Sequence, residues 1–172
     1  MTHAVPETAA APTSAEELSA RFREAMASYP SGVTIVTTTD EQGEWRGFTA
    51  TSFCSLSVAP PLVLVCLART AQCHAAFQNA GSWVVQVVPA RRADLALRFA
   101  TRGADKFGQG DFKANAEGHP VLQGASAVLE CEAYVRHDVA DHTILVGRVR
   151  DVQLRDDAPA VYFHRGFRAL AG

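Results

Sequence analysis

Little in this 172-residue chain marks it for a membrane, a nucleic acid or a metal. Its longest apolar run is about seven residues, far short of the ~20 that span a bilayer as a helix. Positive charge is not in excess: the net charge is -2 and the pI about 6.3. The basic footprint of a nucleic-acid binder is therefore missing. No basic region followed by an apolar stretch stands at the start, so no secretory leader is expected. Cysteine is sparse, at Cys54, Cys66, Cys73 and Cys131, and never in a C-x-x-C pair. Free thiols in a reducing cytoplasm follow from that usage. Cys73-His74 lacks the second ligand pair of a metal site, and no metal is expected. Several catalytic signatures are absent too: G-x-S-x-G, H-E-x-x-H and the Walker P-loop. Gly108-Gln109-Gly110 lacks the third glycine of a dinucleotide fingerprint. Asp138, Asp141 and His142 join a serine into a triad only on paper, because no strained nucleophile turn accompanies them.

What the chain has is material for a core. Hydrophobic residues make up 48% and charged ones 20%, the balance of one globular domain. No internal repeat or domain boundary is visible. Residues 1–13, rich in Ala, Pro and Thr, read as a flexible tail ahead of a domain over 14–172. Ser14-Ala15-Glu16-Glu17 forms a capping box, and Leu18, Phe22, Met26 and Tyr29 follow at helical spacing until Pro30-Ser31-Gly32. Strands are expected over 33–39, 45–48, 62–67, 83–88, 127–136, 143–152 and 161–164. Residues 70–78 read as a short helix capped by Thr70, and Pro89 opens another carrying Leu95, Leu97 and Phe99. A long loop covers 101–119. The fold class is mainly β with helices (α+β), a barrel with helices packed around it. A doubly wound α/β fold is the weaker alternative, since strands and helices do not alternate.

Five hydroxyls fall within the nine residues from Thr49 to Ser57. If that segment is extended, Thr49, Thr51, Ser55 and Ser57 share a face, interrupted by Phe53. Short hydroxyls and backbone N–H groups, with Arg69 arriving from the next strand, suit a phosphate and the polar edge of a flat heterocycle. The same composition also describes a strand and turn that satisfy their own backbone. His142 stands at a strand mouth, where it either contacts a ligand or sits in a surface loop. Lys106 in Asp105-Lys106-Phe107 is a phosphate contact or a solvated charge. The run from Val161 to Phe167 is a terminal edge strand or a surface that stacks on a base.

The order of these segments carries a resemblance. Ser31-Gly32-Val33-Thr34-Ile35-Val36-Thr37, then Gly47-Phe48-Thr49-Ala50-Thr51-Ser52-Phe53-Cys54-Ser55-Leu56-Ser57, then Pro60-Pro61-Leu62-Val63-Leu64-Val65-Cys66-Leu67 resembles the short-chain flavin reductases of two-component monooxygenases. It is most similar to NADH:FMN reductases that serve aromatic-polyketide pathways. The likeness spans about residues 22–170 and includes Asp105-Lys106-Phe107, Asp141-His142 and Tyr162-Phe163-His164-Arg165.

That resemblance implies an FMN-binding split β-barrel and a homodimer. It implies hydride transfer from NADH (NADPH as the alternative) to free FMN (FAD as the alternative). The reduced flavin would pass to a partner monooxygenase. It places Thr49, Ala50, Thr51 and Ser52 along the flavin, and Ser55 and Ser57 nearer its phosphate. Leu67, Ala68 and Arg69 border the ring, and Lys106 helps neutralise the phosphate. His142 contacts the nicotinamide nucleotide, with Tyr162, Phe163 and Arg165 as further partners. The family's Gly-Asp-His motif reads Ala140-Asp141-His142 here, so the glycine is lost. No residue acts as a nucleophile, because the flavin supplies the chemistry. A flavin-binding module without turnover, or an oxidase that keeps its FMN, are the competing readings.

Overall fold

A computed structural model describes residues 14–170. The segment 1–13 read as a tail lies outside the described residues. The chain forms twelve strands: β1 (Ser31–Gly32), β2 (Thr34–Thr39), β3 (Trp45–Ala50), β4 (Cys54–Val58), β5 (Pro61–Ala68), β6 (Ser82–Val87), β7 (Phe112–Ala114), β8 (Pro120–Leu122), β9 (Ala127–Val139), β10 (His142–Leu154), β11 (Val161–Phe163) and β12 (Gly166–Arg168). Three helices join them: α1 (Ala15–Ala27), α2 (His74–Asn79) and α3 (Ala93–Ala100).

Seven strands make one sheet in the order β3-β2-β6-β9-β10-β5-β4. All its ladders are antiparallel, which excludes the doubly wound alternative. β3 returns to meet β5, curling the sheet into a split barrel. The β-branched run of β2 is buried on both faces, and so is most of β6. Alternate residues therefore feed two cores. Val36, Val85, Phe48, Val65, Leu67, Trp83 and Leu145 pack inside the barrel with Phe77 of α2. Ile35, Val84, Leu95, Phe99 and Val128 pack on the other face under α3. Gln86, fully buried on β6, stays satisfied: its Nε2 donates to Thr37 Oγ1 at 2.8 Å, and its Oε1 accepts from the amide of Leu122.

Gly47 lets β3 lie close to its neighbours. A Cβ there would sit 2.9 Å from the Phe99 ring and 3.0 Å from the Val36 carbonyl oxygen.

Four local expectations are corrected. The loop read over 101–119 carries the short strand β7, which pairs with β8. The helix read over 70–78 is only His74–Asn79, capped by no side chain, because residues 70–73 turn. There the Ala71 amide bonds Ala68 O, and Gln72 Oε1 accepts from Gly103 N at 2.9 Å. Pro89 leads first into a 3-10 turn, Ala90–Arg92, and only then into α3. The hydroxyl-rich segment is not one extended run: the chain bends at Thr51–Phe53, and β4 shifts register between Ser55 and Ser57. In α1 the capping box forms, with Ser14 Oγ accepting from the Glu17 amide at 3.1 Å. Its apolar stripe stays uncovered, however, and α1 has no buried residue.

Candidate functional site

A cavity of about 1090 Å³ opens between β3, the bend after it, the end of β5 and the loop after α3. Four separated stretches named from the sequence meet on its wall: Thr49, Ala50, Thr51 and Ser52; Leu67 and Ala68; Lys106; and His142. Ser55, Ser57, Arg69, Tyr162, Phe163 and Arg165 do not line it. Ser55 is exposed and Ser57 half-buried on β4. Arg69 turns outward after β5, while its amide bonds Asp141 O at 2.9 Å. The last three residues belong to the β11–β12 hairpin.

Many polar groups on the wall are already engaged by the protein. Thr49 Oγ1 donates to Ala96 O at 2.6 Å, tying β3 to α3. Ser52 Oγ accepts from the Cys66 amide at 3.0 Å and donates to Cys66 O at 3.3 Å, continuing the β4–β5 pairing with a side chain. Lys106 Nζ donates to Phe99 O at 2.7 Å and Thr101 O at 3.2 Å, where α3 leaves unpaired carbonyls. Burial lowers the Lys106 pKa, with nearby Cys73 pulling the other way, and burial likewise raises the Cys73 thiol. Arg46 is paired with Asp40 at 2.7 Å.

Other groups remain available. Arg102 lines the cavity and, among the described residues, makes no hydrogen bond or ion pair. The backbone at Thr51–Phe53 lies outside both flanking ladders. His142 Nδ1 lies 2.8 Å from Asp141 Oδ1, and this hydrogen bond holds the Asp141 carboxyl below its ordinary range. Because Nδ1–H is donated, Nε2 of the neutral ring is left as an acceptor. The wall thus combines apolar faces, an uncommitted guanidinium and an imidazole acceptor. That donor set fits a flat heterocycle with an anionic tail, and it fits no metal: among the described residues no His, Cys, Asp and Glu cluster could hold one.

Sequence reasoning missed several wall residues. Trp45 and Gly47 share the odd-numbered face of β3 with Thr49, so alternation carried back along the strand would have found them. Phe99, Arg102 and Phe107 reach the cavity only because α3 folds back against β3. No local pattern signals that approach.

Comparison with known proteins agrees with this geometry. The model of the "Flavin reductase like domain" matches residues 26–171. The chain is 48% identical over 150 residues to "Actinorhodin polyketide dimerase" of Streptomyces coelicolor, covering 87% of this chain and 85% of the relative. It is 40% identical over 146 residues to "FMN reductase (NADH) SmoA" of Agrobacterium fabrum, covering 85% and 83%. Its structure superimposes with a TM-score of 0.85 on the Streptomyces globisporus NADH:FAD oxidoreductase SgcE6 in complex with NAD and FAD fragments. That match has 32% identity and covers 94% of this chain and 98% of the other. The matched span, the identity and the shared barrel together place this chain in the flavin reductase like family.

Proposed function

We propose that the protein is an NADH:flavin oxidoreductase that reduces free FMN and releases it, reduced, to a flavin-dependent monooxygenase in the cytoplasm. What supports this reading is the convergence of four distant segments on one cavity, in a chain whose relatives include an NADH-dependent FMN reductase. Another relative is the reductase subunit of a flavin-dependent monooxygenase. A bound flavin would supply the acceptor for a hydride, which carries both electrons of the reduction. The protein's part is orientation. Apolar residues Ala50, Leu67 and Ala68 would border the ring, and the backbone at Thr51–Ser52 would meet its polar edge. Arg102 is better placed than Lys106 to take the phosphate, since the Lys106 ammonium already serves two carbonyls. His142 Nε2 would accept from the nicotinamide carboxamide. A cavity this open suits a flavin that comes and goes.

A homodimer belongs to the same proposal. Leu18, Phe22 and Met26 form an exposed apolar stripe on α1, with Tyr29 exposed just beyond its end, and Leu56 and Val58 stand exposed on β4 at the sheet's edge. Exposed apolar side chains grouped on one element mark an interface. Tyr162, Phe163 and Arg165 would then reach a ligand across the subunit boundary, not within one protomer. Phe22→Glu should convert a dimer into a species of one 18.4 kDa chain by light scattering. A wild-type monomer at assay concentration would remove the dimer.

The deciding assay crosses NADH and NADPH with FMN, FAD and riboflavin. NADH oxidation that scales with added FMN is expected. No turnover above background, from folded protein at saturating flavin, would end the reductase reading. Flavin retained through dialysis without turnover would favour a binding module.

A further inference from the structure

His74, Thr143 and Asp138 form a hydrogen-bonded chain next to the cavity that the proposed reaction does not use. Thr143 is fully buried on β10, and its Oγ1 donates to Asp138 Oδ1, its cross-strand neighbour on β9, at 2.6 Å. His74 Nε2 lies 2.9 Å from the same Oγ1. A hydroxyl has one proton to give, and here it goes to the carboxylate. The oxygen must therefore accept from His74, which fixes the hydrogen on Nε2. The chain runs in one direction, from imidazole to hydroxyl to carboxylate. It joins the first residue of α2 to both strands of the β9–β10 hairpin.

That hairpin is strained. Two residues, Ala140 and Asp141, connect Val139 to its partner His142, and Ala140 has φ +50°. The left-handed region is disfavoured for a residue with a Cβ. Such a conformation persists only where its surroundings over-determine it. Here the Arg69 amide holds Asp141 O, and the His74–Thr143–Asp138 chain holds the strands immediately beneath. The far end of α2 is laced to the same hairpin, since the Arg136 guanidinium donates to Phe77 O and Ala80 O. His142, one residue before Thr143, projects from this clamped tip onto the cavity wall.

We propose that His74, acting through Thr143 and Asp138, is a positioning residue that fixes His142 for the nicotinamide nucleotide. The proposal rests on the reductase reading for its kinetic consequence, but not for its structural one. Thr143→Val keeps the shape and removes the bridge, whereas Thr143→Ser keeps the hydroxyl. Asp138→Ala breaks the chain at an exposed position, so folding is not at stake.

The imidazole nitrogen resonances of His142 should move in Thr143→Val and Asp138→Ala and return in Thr143→Ser. In the same variants NADH KM should rise about three- to tenfold, the scale of one lost hydrogen bond, with flavin Kd within twofold. Ala140→Gly relieves the turn, so Thr143→Val in that background should shift His142 less. Unmoved His142 resonances in both chain-breaking variants would overturn the proposal. So would a Thr143→Ser variant as impaired as Thr143→Val. If the wild type does not oxidise NADH with flavin, the functional reading falls, while the imidazole spectra still decide the positioning.

Discussion

Two hairpins of this protein are built alike and used differently. The β9–β10 tip turns through Ala140 and Asp141, and the β11–β12 tip through His164 and Arg165. Both are two-residue connections, and both hold residues with a Cβ at positive φ: +50° at Ala140, +47° at His164 and +57° at Arg165. Each carries a histidine beside a charged residue. The first is clamped from β5 and α2 and presents His142 to the cavity. The second is docked on α1, where the His164 amide bonds Ala27 O at 2.7 Å and Arg165 forks onto Glu24 at 2.6 and 3.3 Å. That pair lowers the Glu24 pKa, chiefly through the Arg165 hydrogen bond. Similar local chemistry thus faces the cavity at one site and anchors a helix at the other. What separates them is the element each hairpin packs against.

The sharpest way to break this comparison is to remove each histidine. His142→Ala should raise NADH KM about tenfold, the upper worth of one hydrogen bond between neutral groups, with flavin Kd within a few-fold. His164→Ala should leave NADH KM within twofold. Steady-state kinetics on both variants check this, and equal effects would erase the distinction.

A third histidine, outside both hairpins, sharpens it further. His119 is 8% exposed, accepts from the Thr39 amide at Nδ1 (3.1 Å) and meets Ser82 Oγ at Nε2 (2.7 Å). Burial pushes its pKa below 6.5, while Glu117 and Glu130 partly oppose this. The unfolded chain therefore takes up a proton near pH 6.5 that the folded chain refuses. Stability should fall as pH drops from about 7 to 5.5, above the ordinary carboxylate range. His119→Gln should lower Tm at pH 7 yet flatten that dependence, as thermal melts across the range would show. A wild-type Tm independent of pH in this window would count against it.

The smallest effect concerns the strained turns themselves. Ala140→Gly trades a left-handed penalty of about 1–2 kcal/mol for glycine's added chain entropy of about 0.5–1 kcal/mol, a net gain of up to about 1.5 kcal/mol. For a chain of this size that raises Tm by about 3–6 °C at most. His164→Gly should gain less, because it also loses the ring contact with Phe163 at a centroid distance of 4.0 Å. Calorimetry on both variants orders them.

The sequence was most legible where a residue's own neighbours decide its state. The β-branched run of β2, the apolar run of β5 and the capping box of α1 form as their patterns require. The barrel and the cavity wall at Thr49 to Ser52 were legible through ordered motifs more than through any one signal. Less could be read where distant groups compete. The free hydroxyls expected at Thr49 and Ser52 are engaged by Ala96 O and by the Cys66 backbone, partners 47 and 14 residues away. Lys106 likewise looks like an uncommitted cation until α3 places its terminal carbonyls beside it. Arg102, four residues earlier, has no motif to announce it. The resemblance assigns both hairpins to the nicotinamide nucleotide, His142 first and Tyr162, Phe163 and Arg165 after it, and each sets a histidine beside a charged residue.

The crowding at Gly47 sets a boundary for anyone redesigning this cavity. With the Phe99 ring and the Val36 carbonyl at about 3 Å from where a side chain would begin, the floor has no slack in either direction. A library randomised at that position should return glycine almost alone. The opposite wall, loop 101–108, carries its exposed side chains on backbone held by Gln72, Lys106 and Asp105. Efforts to admit bulkier electron acceptors are best directed there, where Ala104 can change size without moving a strand.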